Sequence, residues 1–135
     1  MIGATLALAG VVLAGPISAL GAARAEWMMG PASPAADRDL YVEDQPRRLA
    51  ATARFVAGCT ARPLDAETYG ALVGANMLVP ARVRKDMFRA DLDLLPAYAA
   101  CERPVLVIHG AEDRVVSPRT GQGIAEAAPK GALEV

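Results

Sequence analysis

The 135-residue sequence has the length of one modest domain and is 53% hydrophobic, owing more to its 29 alanines than to its six aromatic residues. Fourteen basic against 15 acidic residues leave a net charge of −1, which disfavours an electrostatic nucleic-acid partner; high apolar content with little charge argues against intrinsic disorder. Two cysteines, Cys59 and Cys101, exclude a disulfide scaffold, and a single histidine, His109, removes almost every histidine-based metal site.

Residues 1–23 carry no charged side chain, and Arg24 is the first basic residue. One reading of this stretch is a secretory signal, with an apolar run over 2–20 and a small-residue pattern ending Ala23-Arg24-Ala25, although no positive residue precedes the run. A stable membrane span is disfavoured, because Pro16 and four glycines interrupt the uncharged residues 1–23 and alanine is weakly lipophilic. The other reading is a core strand over 8–14 stopped by Gly15-Pro16. A short unbroken apolar stretch of this kind suits a strand buried on both faces of a parallel sheet.

Residues 24–44, with Gly30-Pro31 and Ser33-Pro34, read as an irregular connection. Asp44 then caps a helix whose first turn holds Pro46 and whose end lies at 58–60. Leu49, Ala53, Phe55 and Val56 give that helix an apolar side, leaving Arg47, Arg48 and Arg54 for water. A second helix starts after Pro63 with Asp65 as cap and runs through Tyr69, Leu72 and Val73 towards Asn76. Pro80 opens a third, in which Val83, Met87 and Ala90 recur at helical spacing. Residues 24–98 thus form a mainly helical region.

The last stretch, 99–135, changes period. Pro104-Val105-Leu106-Val107-Ile108 holds four large apolar residues, three of them β-branched, and His109-Gly110 ends it, as in a central parallel strand. Ser117-Pro118 starts a helix containing Ile124 and Ala125 and stopped by Pro129, and residues 132–135 have strand character. Strand, helix and strand in this order form a right-handed βαβ unit, so the fold class is α/β with a partial parallel sheet.

Ligands of open parallel sheets bind outside the carboxyl ends of the strands. The segment placed there is His109-Gly110-Ala111-Glu112-Asp113-Arg114-Val115-Val116. On spacing alone, two acidic residues in a strand-to-helix turn are commonly solvated caps. The run from Pro104 to Pro118, however, resembles the strand and turn that carry the triad acid in the α/β-hydrolase fold superfamily, the serine esterases, lipases and non-haem haloperoxidase-like enzymes. Their pattern is an apolar strand, His-Gly, two variable residues, Asp and a small apolar pair, and Asp113 stands on its aspartate. Residues 89–96 are similar to the return from lid to core in these proteins, and residues 8–16 to the core strand before the lid.

The resemblance implies a serine hydrolase acting on a small ester-like substrate without a cofactor or metal, with Asp113 accepting the Nδ1–H of a catalytic histidine. Glu112 is then its solvated neighbour. His109 is expected to be a strand-end residue bonded into the turn, and, four residues before Asp113, poorly placed to receive that carboxylate. The nucleophile elbow G-x-S-x-G is absent: the serines are Ser18, Ser33 and Ser117, none flanked in that way. Chain order in this fold is Ser, acid, His, so the missing Ser is expected before residue 8 and the missing His after residue 135. The expectation is a fragment with lid and acid, inactive alone and cytoplasmic.

Other motifs give weaker signals. Gly121-Gln122-Gly123 lacks the third glycine of a dinucleotide fingerprint. Gly70 and Gly74 have a spacing that suits close helix packing. Met28, Met29, Met77 and Met87 suit core filling or an acyl pocket, and both cysteines are expected to be buried free thiols. The alternative function is a small exported binding or structural protein, secreted or periplasmic, maturing near Glu26.

Overall fold

A computed structural model describes residues 8–87 and 89–135. Residues 1–7, on which the signal-peptide reading partly rests, lie outside the described residues. Three strands form a parallel sheet in the order β1-β4-β5: β1 is Val11–Ala14, β4 Val105–Ile108 and β5 Gly131–Glu134. In register, Leu13 lies beside Val107 and Val107 beside Leu133. The β-branched run over 105–108 therefore takes the centre, as its composition indicates.

Helix α5, Pro118–Ala127, links β4 to β5 and packs on one face of the sheet. Its Ile124 joins Val105, Val107 and Ala128 as the buried cluster, with Val11, Leu13 and Leu133 against it. The other face is open. Val12 is 67% exposed and Ile108 45% exposed, so the expectation of a strand buried on both faces fails for β1. Side chains alternate across a strand, and among the described residues the covering helices lie on the Val105–Val107 side only.

The middle of the chain is helical and capped as its sequence indicates. Helix α1, Gln45–Gly58, has Asp44 accepting from the Arg47 backbone N–H; α2, Ala66–Met77, has Asp65 accepting from that of Thr68. Helix α3 is Ala81–Met87. Before them, residues 26–41 contain short 3-10 turns around the buried Leu40. A two-stranded antiparallel pair, β2 (Ala19–Leu20) and β3 (Leu92–Asp93), ties the entry and exit of this region together, and α4 (Leu95–Ala99) leads back to the sheet.

Small side chains do much of the packing here. Ala51, Thr52 and Val56 are the buried residues of α1, whereas Leu49, expected inside, is exposed. The buried residues of α3 are Ala81 and Arg84, not the expected Val83 and Met87. Gly70 and Gly74 face open space, which corrects the reading of close helix packing. Among the described residues no helix is long and apolar enough to cross a membrane.

Candidate active site

The turn after β4 brings its polar groups to the carboxyl end of the sheet, where a parallel sheet leaves room for a ligand. The Asp113 N–H donates to the Gly110 carbonyl at 3.1 Å, closing the turn. Asp113 Oδ1 accepts from the Val115 and Val116 N–H groups at 2.8 and 3.0 Å. One carboxylate oxygen is thereby fixed to the backbone, and the side chain keeps 23% exposure. This local bonding is what an aspartate in such a turn supplies and what a glutamate, one carbon longer, does not reproduce.

His109 is buried, and its Nε2 lies 3.2 Å from both the Val116 carbonyl and Asp113 Oδ2. Both neighbours are acceptors, so the ring carries its proton on Nε2 and donates it to them. The expectation that His109 is poorly placed for Asp113 is therefore wrong: the closed turn at 110–113 folds the carboxylate back over the ring. The expectation of a strand-end residue bonded into the turn agrees with the contact to Val116. Among the described residues Nδ1 has no hydrogen-bond partner; it faces Gly121 of α5, where a methyl group would stand 2.6 Å from it.

Gly15, at the carboxyl end of β1, has φ of +53°, and a side chain there would lie 3.6 Å from Asp113 Oδ2. Glycine alone takes that backbone without strain. The sequence reading gave Gly15 only the role of ending a strand. Two cavities adjoin the turn. One, of about 410 Å³, is lined by Cys59, Ala61, Gly110, Ala111, Glu112 and Asp113. The other, of about 460 Å³, is apolar: Gly15, Val115 and Val116 form one wall, and Met29, Phe55 and Met87 are among the others.

Cys59 is exposed at the end of α1, and Cys101 is half-buried, so neither is the buried thiol expected. Partial burial pushes the Cys59 thiol up, and the charge of Asp113 adds to it. A thiol held in its protonated form is a weak nucleophile. Glu112 is exposed. Met28 is buried, as core filling requires, and Met29 and Met87 line the apolar cavity. Gly121 and Gly123 lie within α5. Among the described residues no group of three or more His, Cys, Asp or Glu side chains is arranged to hold a metal ion.

No protein-family model matches the sequence, and a search of curated proteins gives no significant match. Solved structures do match. The esterase RhEst1 from Rhodococcus sp. ECU1013 superposes with a TM-score of 0.83 at 28% identity, over 93% of this chain and 46% of that one. A protein assigned as an aryl esterase from Burkholderia cenocepacia gives 0.81 at 21% identity, over 94% of this chain and 45% of that one. The chain thus spans a little under half the length of these structures. In strand order and in these likenesses, the chain has the mixed α/β fold, with a small parallel sheet, of α/β-hydrolase esterases.

Proposed function

We propose that the chain is the lid- and acid-bearing part of a serine hydrolase that cleaves a small ester or a related carbonyl compound, with Asp113 as the triad acid. The observation that carries this reading is the position of Asp113: it follows the central parallel strand, Oδ1 is fixed by two backbone N–H groups, Oδ2 faces Gly15, and the residue lines an open cavity. A serine nucleophile and a histidine base complete such a site. We place both outside these 135 residues, because no serine here stands in a G-x-S-x-G elbow and His109 has already committed its Nε2–H.

In the completed site Asp113 accepts the Nδ1–H of the base, holds its tautomer and stabilises the imidazolium. The base takes the serine proton as the serine oxygen attacks the ester carbonyl, then returns it to the departing alcohol; water cleaves the acyl-enzyme by the same route. Residues 24–98 form the lid, and the apolar cavity between lid and turn takes the ester's apolar part.

Joining this chain to the part of the Rhodococcus esterase that it does not match tests the reading. The chimera is expected to hydrolyse a short-chain nitrophenyl ester with an initial burst of nitrophenol, the mark of an acyl-enzyme. A chimera that folds, contains Ser and His, and gives no turnover contradicts the assignment.

A further inference from the structure

Among the described residues two arginines of this region pair with carboxylates, and Arg84, at the cavity, is not one of them. Arg47 pairs with Asp39 at 2.6 Å and Arg54 with Asp37 at 2.7 Å, both in water. Arg84 is only 7% exposed and has no carboxylate partner among the described residues. One terminal nitrogen donates to the Asn76 carbonyl at 2.9 Å, and its buried Nε has no hydrogen-bond partner among the described residues. A guanidinium stays charged in a protein, so Arg84 cannot escape this desolvation by losing a proton.

Its surroundings add to the imbalance. Burial weakens its hold on the proton; Tyr41 acts in the opposite sense, and the second guanidinium of Arg48 adds repulsion. Arg48 also has a buried Nε with no hydrogen-bond partner among the described residues. Two cations on α1 and α3 therefore lie near one another on the lid side. Arg84 lines the apolar cavity together with Val79, Val83 and Met87, while Gly15 and Val116, beside Asp113, line it as well. An apolar space joins a place for bond cleavage to an unneutralised cation.

We propose that the molecule taken by this cavity is an apolar ester bearing a remote carboxylate, such as the half-ester of a dicarboxylic acid, with Arg84 binding that carboxylate. A planar guanidinium presents donors in the geometry of a carboxylate, and a pair formed out of water is held more firmly than one on the surface. The apolar walls take the connecting carbons, and the ester end lies at Gly15 and the acid turn. Arg84 is a specificity residue in this scheme and takes no part in bond cleavage. The inference rests on the hydrolase reading for the ester end; the carboxylate end stands on the cavity alone.

Titration of the 135-residue chain with monomethyl adipate and with dimethyl adipate, followed calorimetrically, separates the two ends. The half-ester, which keeps the negative charge, is expected to bind about tenfold or more tightly than the neutral diester. Arg84→Met removes that preference, and Arg84→Lys keeps part of it. Equal binding of the two esters, binding of neither, or a preference that survives Arg84→Met overturns the proposal. Should Arg84→Met fail to fold, the Arg84 Nε–H resonance of the native chain serves instead: it moves on adding the half-ester and not on adding the diester, and an unmoved resonance counts against the proposal. In the esterase chimera, turnover indifferent to the remote carboxylate defeats this inference alone, whereas absent turnover with the binding preference intact defeats the hydrolase reading alone.

Discussion

Asp113 and His109 form a small unit in which each residue settles the other. The carboxylate collects two backbone N–H groups on Oδ1 and the His109 Nε2–H on Oδ2, while the ring rests against α5 at Gly121. Gly121→Ala tests this packing. Its new methyl group would stand 2.6 Å from His109 Nδ1 and 3.1 Å from Val107 Cγ1, so overpacking is expected to cost about 1–3 kcal/mol in denaturant unfolding. A variant as stable as the native chain would show that the ring yields freely and does not position Asp113. The place of Asp113 in the turn after the central strand was legible because an apolar strand followed by His-Gly, two residues and Asp is a local pattern. The His109–Asp113 contact was not, since residues four apart on an extended strand lie too far apart to touch; only the closed turn reverses the chain. Arg84 was hidden for a different reason. Helical spacing marked Val83 and Met87 as the inner face, and nothing local tells that an arginine lies inside while its apolar neighbours border a cavity.

The helices follow their sequence signals at the ends better than along their faces. Asp44 and Asp65 cap α1 and α2 as read, because a short acceptor before a helix meets its free N–H groups whatever the surroundings. Which side packs depends on neighbours far along the chain, and there Leu49, Gly70 and Gly74 were misread. The Asp65 cap also makes α2 sensitive to acid. The backbone N–H of Thr68, then its hydroxyl, holds the Asp65 carboxyl below its ordinary value of 3.8. A carboxyl depressed in the folded state stabilises fully above the unfolded value and stops doing so as pH falls through the folded one. The protection of α2 amides, taken as exchange relative to the unstructured rate at each pH, should therefore be unchanged from pH 7 to about 5 and fall below about 4. Asp65→Asn, which keeps an acceptor oxygen but cannot titrate, should remove that fall. Equal acid sensitivity in both proteins would place its origin elsewhere.

At the scale of the molecule the sheet is covered on one side. The chain exposes 8818 Å², against about 6,700 Å² expected of a compact monomer of 14.0 kDa. Val12 and Ile108 contribute to the open face, while Val105 and Val107 on the other are almost fully buried. Strand class and order along the chain were readable from apolar runs and breakers; the open face was not, because an apolar run signals burial without saying what performs it. The isolated chain is expected to self-associate and to bind a dye for exposed apolar surface, as checked by sedimentation and fluorescence. A monomer with a sharp reversible melt and no dye binding would contradict this. The central claim, that Asp113 is the acid of a serine hydrolase, is tested most directly by the turnover of the esterase chimera with and without Asp113→Asn. A fall of about 10⁴ in turnover, with the acyl-enzyme serine still in place and Glu112→Gln close to the parent, is the predicted result; an Asp113→Asn chimera as fast as its parent would contradict it.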